Sequence, residues 1–175
     1  DRKRLREIAV DLEEIPRQFF EMFPKEADYR LQTTVVAFRN DKNLMLFYEP
    51  DARGKPKVGY IHTGQDRNYM AVNGGQKRRR SVYHDYVHSL MEPYNLPAWL
   101  REGLAEYYGS VQNERYLVGD YRTVVIGFPI YDHGRLVRNP LVLPISELFG
   151  AREYAHSENI KTDVFLAESW ALVHM

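Results

Sequence analysis

Val82-Tyr83-His84-Asp85-Tyr86-Val87-His88-Ser89-Leu90 is the stretch on which the reading of the fold turns. Two histidines four positions apart project from the same face of a helix, about one turn from each other. Both imidazoles can then reach one metal ion at roughly 2.0–2.1 Å. Between them, Asp85 places a carboxylate where the general base sits in the His-Glu-x-x-His pattern. Paired histidines at this spacing also occur by chance on many helices, so the reading needs a further ligand.

The next helical segment supplies one. Pro97-Ala98-Trp99-Leu100-Arg101-Glu102-Gly103-Leu104-Ala105-Glu106-Tyr107-Tyr108 carries Glu102 and, one turn later, Glu106. A tetrahedral catalytic zinc site takes three protein ligands and leaves an open position for water. Two histidines from one helix and a glutamate from the next is one way to complete it, so His84, His88 and Glu102 are the expected zinc ligands. Glu106 shares a face with Glu102 and is expected to reach a ligand imidazole from behind. There it would accept the distal N–H and fix the ring's tautomer. By themselves the two glutamates read as a solvated helix face; beside the histidine pair they read as part of a metal site.

Composition is that of a folded globular chain and narrows its partners. The 175 residues are 44% hydrophobic and 13% aromatic, well above what disordered segments carry. The length fits one domain, or one domain built as two lobes around a cleft. Lys plus Arg balance Asp plus Glu at 24 each, which points to neither nucleic acid nor an anionic membrane as partner. Cysteine is absent, so disulfides and thiolate ligands are excluded and a metal must be held by His and carboxylate. No run approaches the roughly 20 apolar residues of a membrane span. The charged opening Asp1-Arg2-Lys3-Arg4 does not read as a signal peptide. A start without Met, and an end inside the helix-like stretch Trp170 to Met175, read as an excised or processed piece of something longer.

Leu5, Ile8, Leu12, Ile15 and Phe19 recur at three- and four-residue steps and predict an amphipathic helix from about Lys3 to Met22. Pro16 inside it predicts a kink or an early end, and Pro24 stops it. Thr33 to Phe38 reads as a strand, Asn40 to Tyr48 as a short helix, and Asp51 to Lys57 as a turn-rich loop. Val58 to Thr63 and Asn68 to Val72 read as two strands joined through Gly64-Gln65-Asp66. Residues 1–74 are thus expected to form an α/β lobe with a mainly antiparallel sheet, closed at Asn73-Gly74-Gly75. Residues 75–175 are expected to be mainly helical: about Arg79 to Met91, Ala98 to Tyr108, Ile145 to Phe149, and from about Thr162 onward. A hairpin is expected within Tyr116 to Phe128 around Gly119-Asp120, and a loop from Pro129 to Pro144. The fold class expected is α+β.

From His84 through Tyr108 the chain resembles the gluzincin metallopeptidases, the peptidase-MA-like clan that includes thermolysin and the aminopeptidase N relatives. It is most similar to an uncharacterised bacterial branch whose usual pattern reads His-Glu-Tyr-Val-His, then Leu-Pro-x-Trp-Leu-x-Glu-Gly-Leu-Ala-Glu-Tyr. Val58-Gly59-Tyr60 with Asn68-Tyr69-Met70 is similar to the strand pair before that family's active-site helix. Ala167 to His174 is similar to its closing helix. The resemblance implies a single zincin-like catalytic domain and a zinc-dependent peptidase, with a sheet edge over the cleft where an extended peptide can lie. Relatives in this branch are often exported, so it also implies a secreted or envelope location.

The chain departs from that family twice. Asp85 stands where the family has its catalytic Glu, which shortens the acid's reach by somewhat over 1 Å; misplacement of about 1 Å can cost on the order of a hundredfold in rate. Leu166 stands where many relatives have a Tyr shortly before the Glu-Ser-Trp-like run. In aminopeptidase relatives such a Tyr donates to the oxyanion, a role typically worth about 3–4 kcal/mol. Tyr154 or His156, from the preceding loop, is the candidate substitute. In an active site, zinc would lower the pKa of a water toward 7 and polarise the scissile carbonyl. Asp85 would take the water proton and pass it to the leaving amine.

The remaining features read more plainly. Lys77-Arg78-Arg79-Arg80 opposes the dipole of the helix it precedes, and reads as a solvated loop ahead of a site for acidic or phosphate groups. His174 reads as a packed histidine, and His62 and His133 lack metal spacing and carry no role. Trp99 and Trp170 read as core anchors. Two readings of function compete besides the peptidase: a weak or inactive zinc-binding relative that uses its cleft to bind protein, favoured by Asp85 and Leu166, and a metal-free interaction domain.

Overall fold

A computed structural model describes residues 2–23, 32–47, 59–75, 79–115, 122–138, 142–151 and 160–175. Two compact units divide the chain, Asp1–Leu90 and Met91–Met175.

The first unit opens with α1 (Arg2–Met22), which buries Ile8, Asp11, Leu12, Ile15 and Phe19 along one face. Leu5, expected on that face, is about half exposed. The helix runs unbroken through Pro16. An interior proline removes one ladder bond and costs about 3 kcal/mol. Complete burial of Ile15 and Phe19 beside it offsets that, at about 1.5–3 kcal/mol for each side chain. Phe19 also stacks on Phe23, with ring centroids 4.9 Å apart.

β1 (Gln32–Phe38) leads through Asn40 into α2 (Asp41–Leu44), where the Asn40 side chain caps the helix by accepting from the Asn43 amide at 3.0 Å. β2 (Gly59–Thr63) and β3 (Arg67–Asn73) follow, and the sheet order is β1-β3-β2. β3 pairs antiparallel with β2 but parallel with β1, in register from Gln32↔Arg67 to Phe38↔Asn73. The expectation of a mainly antiparallel sheet is therefore corrected: this small sheet is mixed. The turn-linked pair β2–β3 was legible locally. The parallel partnership of β1 depends on a long connection that no local signal specifies. Gly74 and Gly75 form a turn inside the first unit, with the Gly74 amide donating to Phe38 at 2.8 Å.

α3 (Arg80–Met91) begins in this unit and turns Val82, Tyr83, Tyr86 and Val87 inward. Its seat on the sheet needs Gly59. A Cβ there would lie 2.3 Å from the Ala71 carbonyl oxygen and 2.6 Å from Val82 Cγ2. The Tyr83 hydroxyl donates to Asp11 Oδ2 at 2.7 Å, tying α3 to α1 through a buried bond.

The second unit is built on α4 (Ala98–Gly109) and a long final helix. β4 (Gln112–Arg115) and β5 (Arg122–Val125) form the expected hairpin, but its first strand starts at Gln112, ahead of Tyr116. α5 (Tyr131–Val137) lies where a loop was expected from Pro129 to Pro144. Gly134 at its centre weakens the helical signal, and packing of α5 against the final helix outweighs that. α6 (Ile145–Gly150) and α7 (Ile160–His174) complete the unit. Leu143, Leu148, Val164 and Phe165 form an apolar cluster, against which Trp99 and Leu166 pack. The described residues thus hold seven helices, a three-stranded sheet and a two-stranded one, compatible with an α+β class. The expected loop Asp51 to Lys57 and the hairpin tip Gly119-Asp120 lie outside the described residues.

Candidate metal centre

α3 carries the two histidines one turn apart, as an i, i+4 pair must be. His84 is buried and His88 half-buried. Their rings stand 70° to each other with centroids 4.7 Å apart, and the two Nε2 atoms approach to 3.0 Å. Two nitrogens bound tetrahedrally to one zinc at about 2.0–2.1 Å would sit about 3.3 Å apart, so the observed spacing needs only a small adjustment. Glu102, half-buried on α4, joins them: one ligand atom from each of His84, His88 and Glu102 lies within 4.8 Å of the others. This group can hold a metal ion. Its donor set, two imidazoles and a carboxylate without thiolate, fits zinc chemically, and such borderline ligands also suit other first-row ions.

Asp85 follows His84 on α3 and is half-buried. It is not one of the three residues whose ligand atoms converge.

Glu106 is buried one turn beyond Glu102, and its Oε2 lies 3.0 Å from Nε2 of His133. The sequence reading assigned Glu106 to a ligand imidazole and gave His133 no role. The structure shows His133 buried on α5 and bonded to that carboxylate. A signal was available: Ile130 and His133 are three apart, the spacing of one helical face, and both are buried. The glycine after His133 obscured it.

Other expected features sort by burial. Arg79 is buried beside Tyr83, which corrects the solvated-loop reading at that position, whereas Arg80 is exposed. Burial, and then the charge and hydrogen bond of Asp11, push the Tyr83 hydroxyl pKa up. His62 is exposed on β2. His174 is exposed too, yet its ring stacks on Trp170 with centroids 4.8 Å apart. Leu166 packs against the apolar cluster of the second unit. Glu168, two residues on, is buried and accepts the Leu143 amide at 2.8 Å. Its pKa is raised, first by burial and further by Glu147, against the lowering effect of that amide. Tyr154, His156, Lys77 and Arg78 lie outside the described residues.

Compared with known proteins, the chain matches no protein-family model, no curated protein and no solved structure. Among the described residues no helix is long and apolar enough to cross a membrane.

Proposed function

We propose that this chain is a zinc-dependent, metallopeptidase-like domain that hydrolyses peptide bonds. The convergence of His84, His88 and Glu102 carries the reading. Three such ligands leave an open fourth position, the arrangement of catalytic rather than structural zinc. Zinc held there would supply Lewis-acid polarisation of a carbonyl and activation of water.

The chain's own residues then take the remaining roles. Asp85, next to His84 on α3, is the general base, accepting a proton from water and returning it to the leaving amine. Glu106, whose carboxylate meets His133 in the second unit, would stand behind the ligands and help hold an imidazole in the binding tautomer. A peptide or protein is the substrate, and the fold reading is a zincin of gluzincin type. These assignments rest on the resemblance of His84 to Tyr108 to that family together with the ligand geometry. A second reading, a zinc-binding relative that binds protein with little or no turnover, is favoured by the shorter acid at Asp85.

Metal content of the purified chain by mass spectrometry tests the proposal, with His84→Ala and Glu102→Ala as comparisons. About one zinc per wild-type chain, lost in both variants, is expected. Full zinc occupancy in both would sink the ligand assignment. Hydrolysis of a peptide library by the zinc-loaded chain then separates the enzyme from the protein-binding relative.

A further inference from the structure

His133, a residue to which the zinc reading gives no role, forms a buried pair with Glu106. Their side chains are only 6% and 5% exposed, and the Nε2–Oε2 distance is 3.0 Å. Hydrogen on Nε2 lets the ring donate to the Glu106 carboxylate and orient it. The Trp170 ring lies beside the His133 ring, with centroids 5.8 Å apart.

We infer that His133 is a positioning residue for the metal centre. It holds the Glu106 carboxylate fixed one helical turn behind Glu102, and so sets how tightly the centre binds its cation. This rests on the zinc reading above and adds a residue from α5 that metal-ligand spacing does not reveal. Partners behind the ligands of a metal site commonly change affinity by about 10- to 100-fold when removed.

The experiment is zinc affinity of the full chain, measured by competition with a chromogenic chelator, with folding checked by circular dichroism. His133→Leu and Glu106→Gln should each weaken zinc binding by about 10- to 100-fold. The two changes combined should weaken it no further than the worse single change, because both remove one interaction. His133→Gln, which keeps a donor near the Nε2 position, should recover most of the affinity. A purely structural His133 would not give that recovery in zinc affinity, nor the coupling. If His133→Leu fails to fold, His133→Gln and Glu106→Gln with their combination carry the same test. Affinity within twofold of wild type in His133→Leu, or independent losses that multiply, would overturn the inference and leave the zinc reading intact. A wild-type chain that binds no zinc overturns both.

Discussion

Gly103→Ala tests whether the close approach of α4 and α7 holds Glu102 in place. A Cβ at position 103 would lie 2.4 Å from the Ser169 carbonyl oxygen, 2.8 Å from its carbon, and 2.7 Å from Val173 Cγ2. Ordinary contact begins at 3.4 Å, so α4 and α7 must part by about 1 Å at this point. Val173 can change rotamer, but the Ser169 carbonyl belongs to the backbone of α7 and cannot swing aside. Overpacking of this kind costs about 1–3 kcal/mol, and a gap of 0.5–1 Å forfeits about a quarter to a half of each dispersion contact nearby. Alanine returns about 1 kcal/mol in helix propensity. The balance predicts a net loss of about 1–2 kcal/mol, which lowers the melting temperature by about 2–8 °C for a chain of this size. Urea and thermal unfolding of the metal-free protein provide the measurement. Because Glu102 immediately precedes the strained position, zinc affinity of the folded variant should fall as well. An unchanged stability, or a gain near the 1 kcal/mol of propensity alone, would refute the reasoning, since it would mean the helices separate freely.

Two further outcomes are expected. Asp85→Glu should raise peptide hydrolysis by the zinc-loaded chain, because the added methylene extends the acid's reach by about 1 Å, a displacement that can change rate on the order of a hundredfold; an unchanged or lower rate in a peptide-cleavage assay would mean that the site is arranged around the shorter acid. Glu168 has a folded-state pKa raised above the ordinary 4.5, so the folded protein holds that proton more tightly than the unfolded chain. Its contribution is complete in acid and is lost as pH rises through the folded value. Glu168→Gln keeps an acceptor for the Leu143 amide and cannot ionise. Its stability by urea unfolding should match wild type near pH 4 and exceed it at neutral pH, and parallel curves across that range would contradict the assignment.

Much of the local structure was readable because it depends on near neighbours in the chain. The apolar spacing of Ile8, Leu12, Ile15 and Phe19 marked α1, the Gly64-Gln65-Asp66 turn marked the β2–β3 pairing, and Pro97 marked the start of α4. Reading failed where a distant partner outweighed the local signal. Pro16 marked a place for a kink or an early end, yet the helix read as far as Met22 runs through it. Gly134 hid α5, which stands because it packs on α7. Arg79 read as solvated by its charge, yet it lies buried beside Tyr83.

The candidate site divides in the same way. Sequence alone determined that His84 and His88 share a helix face, because four residues make about one turn, and that Glu102 and Glu106 share another. It also determined that no thiolate can serve as a metal ligand, since the chain has no cysteine. Tertiary structure decided that Glu102 lies with the histidines, that β1 runs parallel to β3, and that His133 is buried against Glu106. Each of these is a meeting of residues far apart in the chain. Periodicity states which way a side chain faces on its own element, but burial and packing of whole elements decide what it meets there.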